Sequence, residues 1–181
     1  VRSDTPIVFW VSALVGCETD VWPRIQSVIA KCTVKAVRIG VPGDGHKMKL
    51  LMNFCAMGYA AIYSEALAVA QKVGLSAQTF DSGIRGSRMD CGFYQTFFSY
   101  VLDRNRDAHK FTLSNAHKDM KYLAAMAQSA GVANPVGGAV KNYYAMAEAA
   151  GLAEDFVPML SDFVAGLNGI SLEQSNKQAA E

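Results

Sequence analysis

The chain has 181 residues, half of them apolar, which is enough for one ordinary domain or one domain and part of another. Seventeen Lys and Arg nearly cancel sixteen Asp and Glu, so the charge offers no groove for nucleic acid and no acidic tail. Cys17, Cys32, Cys55 and Cys91 are far apart and make no CxxC pair, which fits a reduced, cytoplasmic chain better than a disulfide framework or a zinc site.

The apolar run Ile7 to Gly16 is too short to span a bilayer. Its β-branched and aromatic residues, Ile7 to Val11, suit a buried strand, and a first strand is predicted over 7–14. Leu14-Val15-Gly16-Cys17 has the form of a lipoprotein cleavage site, the one support for a lipid-anchored binding protein. The stretch before it argues against that, because Arg2 is its only base and Asp4 opposes it. A helix follows over 20–32, with Asp20 as its expected N-cap, and a second strand over 34–41. One strand-helix-strand unit cannot cover both faces of its own sheet, so it reads as the edge of something larger.

From Gly43 onward the pattern is helical. The stretch 46–73 holds no proline and one glycine, Gly58, and is rich in Ala, Leu and Met. As one helix it would run roughly 40 Å, ending at Gly74. Further helices are predicted over 76–83, 87–102, 113–130, 136–150 and 155–167, broken at Gly83–Gly86, Asp103–Lys110, Gly131–Pro135 and Gly151. The segment 103–107 reads as a solvated loop, and 171–181 as a frayed polar tail. Met52, Met57, Met126 and Met146 read as core packing, and Tyr143 and Tyr144 as core and boundary residues. The stretch Gly83–Gly86 could hold Arg85 toward an acid group, but reads better as an ordinary helix-helix turn. His46, His109 and His117 have no metal-ligand spacing.

The segment that carries chemistry is Gly43-Asp44-Gly45-His46-Lys47-Met48-Lys49-Leu50-Leu51-Met52-Asn53, at the passage from strand to long helix. Gly43 and Gly45 permit a tight turn and a close backbone approach. A helix N-terminus with free N–H groups favours a substrate carboxylate. Lys49 and Asn53, four residues apart, share a helix face, where a lysine can move a hydroxyl proton and an amide can position a small hydroxy acid. On spacing alone such a pair is more often a solvated helix face, and Lys118 more often one exposed lysine among several. A dinucleotide fingerprint is set aside, because the third glycine of GxGxxG would fall on Met48.

The pattern G-x-G-x-x-x-K-x-x-x-N, opening a long helix after a short strand, resembles that of the β-hydroxyacid dehydrogenases. This family includes 3-hydroxyisobutyrate dehydrogenase and is related to 6-phosphogluconate dehydrogenase. Phe111, seven residues before Lys118-Asp119, is similar to the family's F…KD segment, and Pro135 and 151–156 fall at family-like spacings. Met52 departs from the polar residue the family often has beside its asparagine.

The resemblance implies a mainly α chain: an all-helical 6-phosphogluconate dehydrogenase C-terminal-like domain with a long leading helix, preceded by a small α/β remnant of a Rossmann domain. The expected divisions are 1–41 for the remnant, 42–170 for the helical substrate and dimerisation domain, and 171–181 for the tail. It implies Lys49 as catalytic acid/base, Asn53 and Gly45 as substrate-binding residues and Lys118 beside the nicotinamide of NAD or NADP. The implied partners are a small hydroxy-acid substrate and a second copy in a homodimer or higher homo-oligomer, with neither nucleic acid nor membrane. The family's glycine-rich dinucleotide loop and Ser-Gly-Gly segment are not among these residues, so the chain alone is expected to be inactive. The rival reading is a helical dimerisation or interaction module without catalysis.

Overall fold

The computed structural model describes residues 12–172. They form two compact units whose boundary falls between Met52 and Asn53 inside one helix.

In the first unit, β1 (Ser12–Gly16) and β2 (Lys35–Gly40) pair in parallel, joined through α1 (Trp22–Ile29). Residues 7–11 of the expected first strand lie outside the described residues. Asp20 is not the cap of α1. Val21 occupies that position without a side-chain bond, and Pro23 opens the first turn, where its missing N–H costs nothing. No residue of α1 is buried, and Cys17 is the one buried hydrophobic among the described residues of this unit.

The long helix α2 (Asp44–Lys72) passes from the first unit into the second, starting two residues earlier than the pattern indicates. It ends where expected. Gly74 takes φ +86°, and the Leu75 N–H reaches back to the Ala70 carbonyl at 2.8 Å, the backbone closure that a left-handed glycine permits.

The second unit continues with α3 (Ala77–Ile84), α4 (Gly92–Asp103), α5 (Leu113–Ser129), α6 (Pro135–Ala149), a 3₁₀ turn (Val157–Met159) and α7 (Leu160–Leu167). Ser76, Thr112 and Asn134 cap α3, α5 and α6 through their side-chain oxygens. The fold class is therefore mainly α with a small parallel α/β unit before it. Its core is aromatic. The Tyr63 ring meets those of Tyr94, Phe97 and Phe98 edge-on at 5.3, 5.5 and 6.1 Å, and Phe80 stacks on Phe98 at 5.7 Å. Burial of each such ring contributes about 1.5–3 kcal/mol. Tyr144 is fully buried, and its hydroxyl donates to the Met57 carbonyl at 3.1 Å, tying α6 to α2.

Four expectations need correction. Helix α4 begins at Gly92 rather than 87, because side chains fold 87–91 into a turn: Asp90 accepts from the Gly86 N–H and Ser87 from the Met89 N–H. The segment 155–167 is not one helix. Phe156 is extended and bridges Thr112, and Val157 donates to the Phe111 carbonyl at 2.9 Å. The segment 103–107 is more than a solvated loop. Arg104, left-handed at φ 56°, donates to both oxygens of Asp162, and Arg106 pairs with Asp155. Met57 is core and Met126 packs against it, but Met52 and Met146 are about half exposed, at 50% and 46%.

Candidate active site

In the first unit, glycines bring strand ends and helix start together with no room for side chains. A Cβ on Gly16 would lie 2.3 Å from the Val41 carbonyl oxygen, and one on Gly45 would lie 2.4 Å from that of Leu14. Gly43 is left-handed at φ +96°. Gly45 is thus buried against the β1 backbone, a packing reason for glycine that spacing alone did not reveal.

The helix terminus expected here to be free is partly engaged within the chain. The N–H groups of Asp44, His46 and Lys47 donate to the carbonyls of Val41 and Gly43. The terminus also carries its own anion. The Asp44 carboxylate accepts from Lys47 Nζ at 2.9 Å and from the Val41 N–H at 3.0 Å, and these bonds, Lys47 first, hold its pKa below the usual carboxylate value. His46 and Lys49 are exposed on the following turns of α2.

In the second unit, Asn53 on α2 meets Asp119 on α5. Asn53 Nδ2 donates to Asp119 Oδ2 at 2.6 Å. Asp119 is 2% exposed, one of three buried polar or charged residues among those described. Its other oxygen lies 3.6 Å from Lys118 Nζ, which also donates to Asn115 Oδ1 at 3.2 Å. A buried carboxylate is costly unless hydrogen-bonded and paired, and here both an amide and an ammonium face it. Lys118 is itself half exposed, so the ammonium sits at the surface end of a polar cluster rooted on Asp119. Asn53 and Lys118, expected for different ligands, are therefore brought onto one carboxylate. The sequence named Asp119 only as Lys118's neighbour. Its bond to Asn53 spans 66 residues, and no local signal announces it.

The other singled-out residues have structural partners. Phe111 packs against the core. His117 pairs with Glu148, Tyr143 with Glu65, and Arg85 with Asp81. Burial lowers the pKa of His109, whose Nε2 has no hydrogen-bond partner. Its ring meets Phe93 edge-on at 5.3 Å. The Cys17 side chain is buried and its N–H donates to the Gly40 carbonyl at 2.8 Å. Among the described residues no helix is long and apolar enough to cross a membrane.

Residues 43–161 match the family described as the NAD-binding domain of NADP-dependent 3-hydroxyisobutyrate dehydrogenase, and the chain belongs to that family. Its cofactor class is accordingly NAD or NADP. The match contains Gly45, Lys49, Asn53 and Lys118. The chain is 26% identical over 119 residues to the chloroplastic glyoxylate/succinic semialdehyde reductase 2 of Arabidopsis thaliana, covering 65% of this chain and 33% of that protein. It is 23% identical over 138 residues to the 3-sulfolactaldehyde reductase of Escherichia coli K12, covering 76% of this chain and 46% of that one. The chain thus spans less than half the length of these relatives. The solved structure of Mycobacterium tuberculosis 3-hydroxyisobutyrate dehydrogenase with L-serine shares the fold, with a TM-score of 0.75 at 22% identity over 84% of this chain and 54% of that one.

Proposed function

We propose that this chain supplies the proton-transfer and substrate-holding part of an NAD(P)-dependent oxidoreductase acting on a small hydroxy acid or semialdehyde. The observation that carries the reading is the polar cluster in which Asp119 takes hydrogen bonding from Asn53 and faces Lys118, inside a segment that matches a dehydrogenase family. Lys49 exchanges the hydroxyl proton at Nζ, and Asn53 and the Gly45 backbone position the substrate. Lys118 lies on the nicotinamide side. The nicotinamide, when bound, supplies the redox chemistry by exchanging a hydride with the carbon that bears the hydroxyl. The chain's own groups orient the substrate and move its proton. The glycine-rich loop that grips the dinucleotide's adenosine and pyrophosphate is not among these 181 residues, and on their own they turn over no substrate. Residues 42–170 also form the surface of a homodimer, in the cytoplasm.

Two measurements test this. Titration of NADPH and NADH into the chain, followed by fluorescence, is expected to show no micromolar binding; such binding would overturn the claim that the chain is inactive alone. A chimera carrying the N-terminal half of the E. coli 3-sulfolactaldehyde reductase ahead of this chain is expected to reduce small semialdehydes. Lys49→Ala should then lower turnover by about a hundredfold or more with the oligomer retained. Unchanged turnover removes Lys49 as the acid/base.

A further inference from the structure

The contact between Asn53 and Asp119 decides more than stability. A side-chain amide has a donor end and an acceptor end, and an amide facing solvent or another amide can turn either way. A carboxylate only accepts, so the Asn53 amide must turn its Nδ2 toward Asp119, as the 2.6 Å bond to Oδ2 shows. Asp119 has little freedom to move away, being 2% exposed and held between α5 and the amide. Its second oxygen faces Lys118 Nζ at 3.6 Å, which also holds the carboxylate in place. The amide is planar, so fixing Nδ2 on the Asp119 side turns Oδ1 away from it. Among the described residues Asn53 makes no other side-chain hydrogen bond, and Asn53 is half-buried, so Oδ1 is open to a ligand.

We infer that Asp119 is a positioning residue that fixes Asn53 with its carbonyl oxygen toward the ligand, so that Asn53 accepts a hydrogen bond from the substrate's hydroxyl rather than donating to its carboxylate. This rests on the hydroxy-acid reading above and sharpens it. A hydroxy acid carries the donor this acceptor needs, and the same acid without its hydroxyl does not. Asp119→Asn keeps the shape but loses the acceptor-only character, leaving the two amides free to face each other either way round. The paired exchange Asn53→Asp with Asp119→Asn restores one donor against one acceptor with the roles reversed. It still turns an acceptor oxygen toward the ligand.

The test uses the chain labelled with ¹⁵N, with the Asn53 side-chain amide signals assigned by their loss in Asn53→Ala. One Asn53 amide proton is expected downfield of the other asparagine amides, and Asp119→Asn is expected to return it to their range. An Asn53 signal that lies with the others and ignores Asp119→Asn overturns the inference. Titration with 3-hydroxyisobutyrate is expected to move the Asn53 signals saturably, whereas isobutyrate leaves them in place. Asp119→Asn should weaken the hydroxy acid about fivefold to tenfold, the loss of roughly one oriented hydrogen bond. The paired exchange should keep it within about threefold. An equal response to isobutyrate, or loss of binding in the paired exchange, means that Asn53 reads the carboxylate and sinks the inference. No response to either acid counts against the hydroxy-acid reading itself and its ligand; Asp119's hold on Asn53 is decided separately by the amide shift. If Asp119→Asn does not fold, the paired exchange alone decides: a downfield amide transferred to residue 119 supports the hold, and its absence overturns it.

Discussion

The two compact units differ in what holds them. The second buries an aromatic core: Tyr94, Phe97, Phe98 and Tyr144 are all fully inaccessible. The first buries one cysteine side chain among its described hydrophobic residues and relies on backbone packed against backbone at Gly16 and Gly45. Apolar burial is proportional to area, so the second unit has a large reserve against single losses. The first has little area to lose, and its weak points are places where no side chain fits.

That contrast can be broken at several points. Phe98→Ala empties the centre of the aromatic cluster and is expected to cost about 3–5 kcal/mol by urea denaturation, while Val37→Ala on half-exposed β2 should cost about 1 kcal/mol or less. Similar losses at both sites would erase the distinction. Gly45→Ala places a Cβ 2.4 Å from the Leu14 carbonyl oxygen. It should cost about 1–3 kcal/mol, seen as faster amide hydrogen exchange in residues 12–52 with protection in α4 to α6 unchanged. Tyr144→Phe removes only the hydroxyl bond to Met57 and is expected to cost about 1 kcal/mol in the second unit.

The smallest effect is on pH. Burial holds the His109 pKa below its ordinary 6.5, so the unfolded chain takes up this proton before the folded one does. Its contribution is complete above about pH 6.5 and is lost as pH falls below that. His109→Phe should therefore gain on the parent chain between about pH 7 and pH 5 in melting temperature. Parallel curves for the two proteins would remove His109 as the cause.

Local chemistry explains how much of this was legible. Helices α5 and α6 were readable to within about a residue, because Thr112 and Asn134-Pro135 announce their starts and glycines their ends. The start of α4 was not, because Asp90 and Ser87 spend their side chains on a turn that competes with helix. Nor was the extended Phe156, whose conformation comes from pairing with Thr112 far away in sequence. Lys49 and Asn53 stood out by spacing and by family resemblance. What fixes the Asn53 amide is a carboxylate 66 residues on, and no periodicity carries that. The glycine motif was visible, but not that neighbouring carbonyls engage part of the terminus it opens or that Asp44 pairs with Lys47 and Val41 there.

The aromatic cluster also divides the chain spectroscopically. Both tryptophans, Trp10 and Trp22, precede the boundary at Met52 in sequence, and all seven tyrosines follow it. Emission excited at the red edge of tryptophan absorption therefore comes only from the N-terminal side of that boundary. Near-ultraviolet dichroism from the packed tyrosines reports mainly on the second unit, with no label added. A single heating run recorded in both channels separates their transitions, and each substitution above should move one channel before the other.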